Sequence, residues 1–499
     1  MAYNPYLGSF QIPGIASGFD TASVISKLME VEMQPLNRAQ EKFDTLNYQQ
    51  KVWMQVDKKL EEFYDFLIDF KLQGNLIPKK AVSYNEKVLT ASSAADAENV
   101  TFYLKVNSLA SPTVLIGEGI DNSIKKKSTI GSILEIEDDT QEIKFSISKE
   151  GGSSKEITIS STDTINDLIA KINGSGADVS AKFDEANGKF FIISNKNDTK
   201  DINLSAEDDS LGEELLNKLN LDSSKVKTTL GSYAEVELSF NGSSVSTTYD
   251  ELAGNTINIF GTTIELKSLS DEFVKVSVEQ DIDKSVETVK QFVDKYNETI
   301  TYVYDLLHES KVTDKDSEDM TEEDYMKGML SRDRNLENIF YKLRNMVYSS
   351  TNVNGEFKSL LSIGISSGDT GRNYENTMKG LLKLDEDKLR EALNKNPEDV
   401  WKLFATNDKV NGKYGIAQNI QNYVYDVTKF NGYIDKIAGT NGTIGNQMRS
   451  LAKEMTNLLD KLQKKEAYYY ARFSAMEQAV QKLSMQGAYI QNAFSKQNQ

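Results

Sequence analysis

Residues 444–494 read IGNQMRSLAKEMTNLLDKLQKKEAYYYARFSAMEQAVQKLSMQGAYIQNAF, and this stretch decides the fold. Ile444, Met448, Leu451, Met455, Leu458 and Leu462 alternate four and three apart, the spacing that keeps one apolar stripe facing a partner helix. The stripe skips a turn at Lys465. It resumes at Tyr469 and runs through Phe473, Met476, Val480, Leu483, Gly487, Ile490 and Phe494. Lys465 to Tyr469 to Phe473 makes two successive fours, a stutter that locally unwinds a left-handed supercoil. At 1.5 Å per residue the segment spans roughly 75 Å. A helix that long outruns a small domain, and its apolar stripe invites partners.

The other end of the chain carries a matching seam. Asp20 offers an N-cap for a helix with Val24, Leu28 and Val31, because its side chain can accept a bond from a free helical N–H. Pro35 predicts a kink or a boundary, since it removes a backbone donor and disfavours helix at Gln34. Beyond it Leu36, Ala39, Phe43, Leu46, Gln50, Trp53, Val56, Leu60, Phe63, Leu67 and Phe70 keep a three-or-four spacing up to Gly74. The two chain ends are expected to pair.

Between them the period changes to two. Thr101 to Val106, Ile143 to Ile147 and Val236 to Phe240 alternate polar and apolar, the pattern of half-buried strands. Residues 77–280 therefore read as mainly antiparallel β. Asn187-Gly188 and Asn241-Gly242 suit two-residue hairpins, a short helix runs from Thr164 to Ile172, and the stretches near 118–128 and 222–232 read as hinges. The heptad returns at Ile282 and continues through Val286, Val289, Val293, Tyr296, Ile300, Val303 and Leu307. Further helices are predicted at 330–348, at 386–393 capped by Asp385, at 397–404 behind Asn396, and at 415–434; Asn441-Gly442-Thr443 opens the terminal one.

The fold class is α+β and multidomain: N- and C-terminal helices pair in a coiled coil and helical bundle, and a two-part β-rich insertion forms a head. The expected parts are 1–40 (flexible segment and leg helix), 41–76 (bundle), 77–117 (proximal head), 118–231 (distal head), 232–280 (proximal head), 281–440 (bundle) and 441–499 (C-terminal leg helix).

The 499 residues include no cysteine, 57 Lys plus Arg and 75 Asp plus Glu, for a net charge of -18. Absent Cys removes disulfide frameworks and thiolate metal sites. The negative balance opposes nucleic-acid binding, which needs clustered cations against phosphate. The first 20 residues lack the basic and apolar regions of a secretory signal, and no run of about 18 apolar residues exists, so membrane insertion is not expected and export needs another route. His308 is the lone histidine; no Ser-His-Asp or multi-His site can be built, and a helix-end structural role suits it. The acidic run from Asp314 fails as a calcium loop, since Asp319 stands where glycine is required and Tyr325 where the bidentate glutamate belongs; it reads as a solvated loop. Tyr468, Tyr469 and Tyr470 point to three helix faces, with only Tyr469 on the seam, which favours aromatic packing over base or sugar stacking. No catalytic residue, cofactor or metal site is expected, and the chain reads as a non-enzyme.

Particular motifs carry a family resemblance. Pro13-Gly14-Ile15-Ala16-Ser17-Gly18-Phe19-Asp20, followed by Ile25, Leu28-Met29, Glu32 and Pro35-Leu36, resembles the N-terminal pattern of the flagellar hook-associated protein 2 family, the filament cap proteins. Ile15 and Phe19 stand where leucines are more usual. Arg472-Phe473-Ser474-Ala475-Met476-Glu477 with Leu483-Ser484-Met485-Gln486, and Gly380 to Glu386 leading to Asn396-Pro397-Glu398-Asp399-Val400 and Leu403-Phe404, are similar to that family's C-terminal regions. Asp163-Thr164 to Asn173, Gly176 to Val179 and Gly188 to Ser194 resemble the β-α-β motif shared by flagellin and hook-associated proteins.

The resemblance implies a secreted, homo-oligomeric ring at the distal filament tip that guides polymerisation of flagellin and prevents its loss. It implies as partners flagellin, further copies of the chain, hook–filament junction proteins, and the flagellar type III export apparatus with an export chaperone. Phe19, Ile25, Leu28, Leu36, Tyr469, Phe473, Met476, Val480, Leu483, Ile490 and Phe494 are the expected terminal-leg and filament contacts, with Ile282 to Leu307 as the bundle seam. One alternative stays open, a surface adhesin binding host or matrix glycans through the β-rich head; a filament-building flagellin is disfavoured by the cap-type motifs at both ends.

Overall fold

The computed structural model describes residues 20–136, 141–243, 245–367 and 374–495. The reading of 1–18 as flexible and the placement of Phe19 lie outside the described residues. The chain divides into a helical unit, 1–76 with 286–499, and a β-rich unit, 77–285.

The helical unit is organised on the helix Thr21–Phe70. Its C-terminal half buries Trp53, Val56, Leu60, Phe63, Leu67 and Phe70. Opposite stands the helix Ile282–His308, whose Val286, Val289, Val293, Tyr296, Ile300, Val303 and Leu307 are buried, while Ile282 is half-buried. Phe292 is fully buried as well. Its ring stacks on Phe70 at 4.9 Å, and Phe404 closes edge-on against both, at 5.2 Å to Phe70 and 5.3 Å to Phe292. Such aromatic clusters add to the burial term that dominates folding.

Three sequence expectations are corrected in this unit. Pro35 forms no boundary, and one helix runs from Thr21 to Phe70. Pro35 and Val31 are both exposed, so the missing helical bond falls on a surface that water can reach. The predicted 415–434 helix is two, Ile416–Thr428 and Tyr433–Ala438; Asn431 at φ 58° takes the left-handed conformation between them, which ends a helix. The predicted 330–348 helix begins later, at Arg334, where the Asp333 carboxylate accepts from the Asn335 and Leu336 amides.

The β-rich unit holds two cores. In the first, a five-stranded antiparallel sheet runs Lys79–Ser83, Val274–Gln280, Val100–Ser108, Ala234–Ser239, Thr247–Leu252. With the three-stranded sheet Thr256–Ile259, Thr262–Leu266, Leu89–Ser93 it buries Phe102, Leu104, Val106, Val236, Ile264 and Val276. The second core gathers Leu115, Ile143, Ile147, Ile159, Ile165, Phe190, Ile192 and Leu215. Its helix Ile165–Gly174 starts from a reciprocal capping box between Thr164 and Asp167.

The hinge expectations at 118–128 and 222–232 are corrected. Lys227–Thr229 is a strand paired with Pro112–Glu118, and Ile120 and Ile124 are buried in the second core. The chain passes between the cores where Ser111 and Ser232 bridge. A Cβ on Gly231 would come within 2.3 Å of the Asp198 carbonyl and 2.4 Å of the Ser111 carbonyl, so the crossing is packed backbone on backbone. Neither Asn-Gly pair makes a two-residue hairpin. Asp184 pairs with Lys189 around a four-residue loop in which the Asp184 carboxylate accepts from Asn187 Nδ2 at 2.7 Å; Leu238 pairs with Thr247 around a longer one.

Candidate functional site

The helices Thr21–Phe70 and Thr443–Ser495 run antiparallel. Thr21 Oγ1 donates to Glu477 Oε1 at 3.3 Å, Glu32 meets Lys465 and Tyr469, and Gln50 Nε2 donates to the Ala438 carbonyl at 2.5 Å. As the position on one helix rises, its partner on the other falls. The N-terminal helix is started by the Asp20 carboxylate, which accepts from the Ser23 amide at 3.0 Å.

Ile25 and Met29 bury against Leu462, with Met33, Leu36, Tyr469 and Phe473 packed around them. Upstream, Ile444 is buried, and Met448, Leu451, Met455 and Leu458 are half-buried. Between the helices there lies a groove of about 630 Å³ lined by Glu41, Thr45, Leu46, Gln447 and Leu451.

The turn at which the seam skips carries the polar contact. Lys465 Nζ pairs with Glu32 Oε2, and Tyr469 donates its hydroxyl to Glu32 Oε1 at 3.2 Å. The ammonium holds the Glu32 carboxyl below its usual range, with the Tyr469 hydrogen bond adding to the effect, and Glu32 in turn raises Lys465. A polar pair on an apolar seam costs some stability and fixes register, because sliding either helix by a turn would separate the charges. Glu32, Met29 and Met33 were not foreseen as a packing set; the missing apolar residue at Lys465 is the signal that points to such a pair.

Around Glu477 the C-terminal helix changes character. Met476 is 42 % exposed, Leu483 66 %, Ile490 55 % and Tyr489 78 %, and Val480 is half-buried. On the N-terminal helix Leu28 is 37 % exposed. The site residues foreseen from sequence thus fall into two groups: Ile25, Leu36, Tyr469 and Phe473 meet in the helix pair, while Leu28, Met476, Leu483 and Ile490 face outward. The Phe494 side chain lies outside the described residues. Tyr468 and Tyr470 are exposed and only Tyr469 enters the pair. His308 ends its helix with Nδ1 2.8 Å from the Tyr304 carbonyl and its ring stacked on Tyr304.

Comparison with known proteins places this geometry. Residues 17–113 match the family model for the flagellar hook-associated protein 2 N-terminus, residues 234–485 that for its C-terminus, and residues 142–196 the flagellin hook IN motif. Flagellar hook-associated protein 2 of Thermotoga maritima is 30% identical, over 99% of this chain and 97% of its own length. That of Halalkalibacterium halodurans is 29% identical, over 97% of this chain and 99% of its own. The fold resembles the crystal structure of the flagellar cap protein FliD D1-D2-D3 domains from Escherichia coli, with a TM-score of 0.56 at 20% identity, covering 77% of this chain and 98% of that one. The chain belongs to the flagellar hook-associated protein 2 family.

Proposed function

We propose that this chain caps the flagellar filament: an oligomer at the distal tip that guides polymerisation of exported flagellin and keeps it from being lost. The observation that carries this reading is the C-terminal helix, which pairs with the N-terminal helix up to Glu477 and then presents Leu483, Tyr489 and Ile490 to solvent. An apolar stripe of that kind is stabilised by covering it. Its covering partner is flagellin at the filament end, or a neighbouring copy of the chain. Ile25, Leu36, Tyr469 and Phe473 hold the pair together, and Leu28, Met476, Val480, Leu483 and Ile490 make the outward contacts. The role is mechanical and requires no chemistry.

The same reading includes passage through the type III export apparatus with a chaperone, secretion, and contact with hook–filament junction proteins. Antiparallel helices with a narrow seam suit it, since they lose little on separating and order again against neighbours. The adhesin alternative gains nothing from the family matches. A strain lacking this chain should grow no filaments and release flagellin monomer into the medium, with both defects reversed on restoring the gene. Normal filaments in that strain would overturn the reading and return weight to the adhesin alternative.

A further inference from the structure

On the side of the helical unit formed by the helices Arg334–Tyr348, Ile416–Thr428 and Tyr433–Ala438 lies an open groove of about 670 Å³. Lys342, Lys429 and Lys436 line it, with Tyr423, Tyr433 and a single carboxylate, Asp426. Asp426 is taken by Lys429 at 2.5 Å. Lys342 and Lys436 are exposed and have no ion pair among the described residues. The groove is cationic on a chain whose net charge is -18. Phe430, between Lys429 and Asn431, is 86 % exposed.

The same unit presents the complementary surface. In the loop 313–321 and the helix Glu322–Met326 that follows it, Asp314, Asp316, Glu318, Asp319 and Glu323 are exposed and have no ion pair among the described residues. The loop is nonetheless anchored. The buried Asp324 takes Lys315 at 2.7 Å and caps with Thr321, the Tyr325 hydroxyl donates to the Ser317 carbonyl at 3.1 Å, and the Tyr325 ring stacks on Tyr48 at 5.2 Å. Lys51 holds Glu322. An anchored loop loses less freedom on binding than a free one.

Groove and loop lie at one level of the N-terminal helix, on different sides of it. Tyr48 and Lys51 carry the loop, while Gln50 bonds the Ala438 carbonyl at the end of the Tyr433–Ala438 helix. At 3.6 residues per turn Gln50 points roughly 130° away from the mean direction of the other two. Two complementary patches on different sides of one subunit, at one height, form a head-to-tail contact, the kind that closes into rings when its rotation permits.

We propose that the Lys342/Lys436 groove of one copy receives the acidic loop 314–319 of the next, with Phe430 as the apolar anchor at the rim. This rests on the oligomeric reading above and names its lateral contact. Charge pairs at such a rim speed association and weaken with salt.

The test uses the full-length chain in sedimentation velocity at low and high salt. Lys342→Glu with Lys436→Glu, and separately Asp316→Lys with Glu318→Lys and Asp319→Lys, should each weaken self-association at least about tenfold, a change of about 1.4 kcal/mol. Mixing the two variants should restore it, because each supplies the surface the other needs; restoration also shows that both are folded. Carbodiimide coupling of mixed isotope-labelled and unlabelled chain should join Lys342 or Lys436 to loop carboxylates between chains. Self-association that ignores both substitutions, or couplings confined to one chain, would overturn this contact and leave the oligomeric reading standing. A wild-type chain that stays monomeric and uncoupled would overturn both.

Discussion

Lys465 on the C-terminal helix pairs with Glu32 on the N-terminal helix, 433 positions earlier in the chain. The contact occupies the turn where the apolar seam fails. It fixes which turns of the two terminal helices face each other, and with them how much of the C-terminal helix extends past its partner.

Reversing either charge, Glu32→Lys or Lys465→Glu, should loosen the pair, and the double reversal should restore it. Amide hydrogen exchange at 25–36 and 462–473 reads the effect, rising in each single variant and returning in the double. The pair is also pH-dependent. Because the folded Glu32 carboxyl lies below its usual value of 4.5, its contribution is fully present above that value and is lost as pH falls through the lower folded one.

Asp57 shows the opposite sign. Burial, with Glu61 and Asp435 nearby, pushes its carboxyl from 3.8 up to about 6. The folded state favours the neutral form, so ionised Asp57 costs stability: nothing below 3.8, increasingly up to about 6, and fully above that. Asp57→Asn should stabilise the helical unit at pH 7 by on the order of 1 kcal/mol, after allowing for partial exposure. The gain should vanish near pH 4, checked by urea unfolding at both pH values.

In the β-rich unit Lys149 Nζ lies 2.7 Å from Asp198 Oδ2 and 2.6 Å from Ser194 Oγ, with both charged side chains 9% exposed. Asp198→Ala strands a buried ammonium and should cost about 3–5 kcal/mol. Lys149→Met with Asp198→Leu should cost clearly less, as urea denaturation of the three proteins would show.

Phe292→Ala should destabilise the helical unit by about 3–5 kcal/mol, since Phe292 is fully buried between Phe70 and Phe404. The expected loss is a lower urea midpoint with filament growth reduced only as far as folding is.

Phe292 also illustrates what the sequence makes legible. The heptad from Val286 to Leu307 announces a buried stripe, but a single helix period does not show how wide that stripe is, and Phe292 sits beside it. The switch from period 3.5 to period 2 at 77 and back at 282 separates helical from β-rich parts without ambiguity. Local breakers were less informative. Pro35 stays within a helix whose surface is exposed there, and Asn241-Gly242 sits in a longer loop because the strands around it pair only from Leu238 and Thr247 outward. The crossing at Ser111 and Ser232 was illegible, since it depends on a backbone approach around Gly231 that no periodicity encodes. In the terminal helix the seam was readable as far as Phe473, where it packs against the N-terminal helix. Which of its residues would be covered by the N-terminal helix depended on register, and register is set by Glu32 and Lys465.

The exposed stretch beyond Glu477 is proposed to engage the filament end. Leu483→Asp with Ile490→Asp, introduced into the chromosomal gene, tests it most directly, with filament length counted by electron microscopy and flagellin assayed in the medium. Both side chains are outside the helix pair, so the purified variant should keep wild-type circular dichroism and thermal unfolding. The expected result is absent or stunted filaments with flagellin monomer in the medium. Filaments of normal length and number from cells producing that folded variant would contradict it.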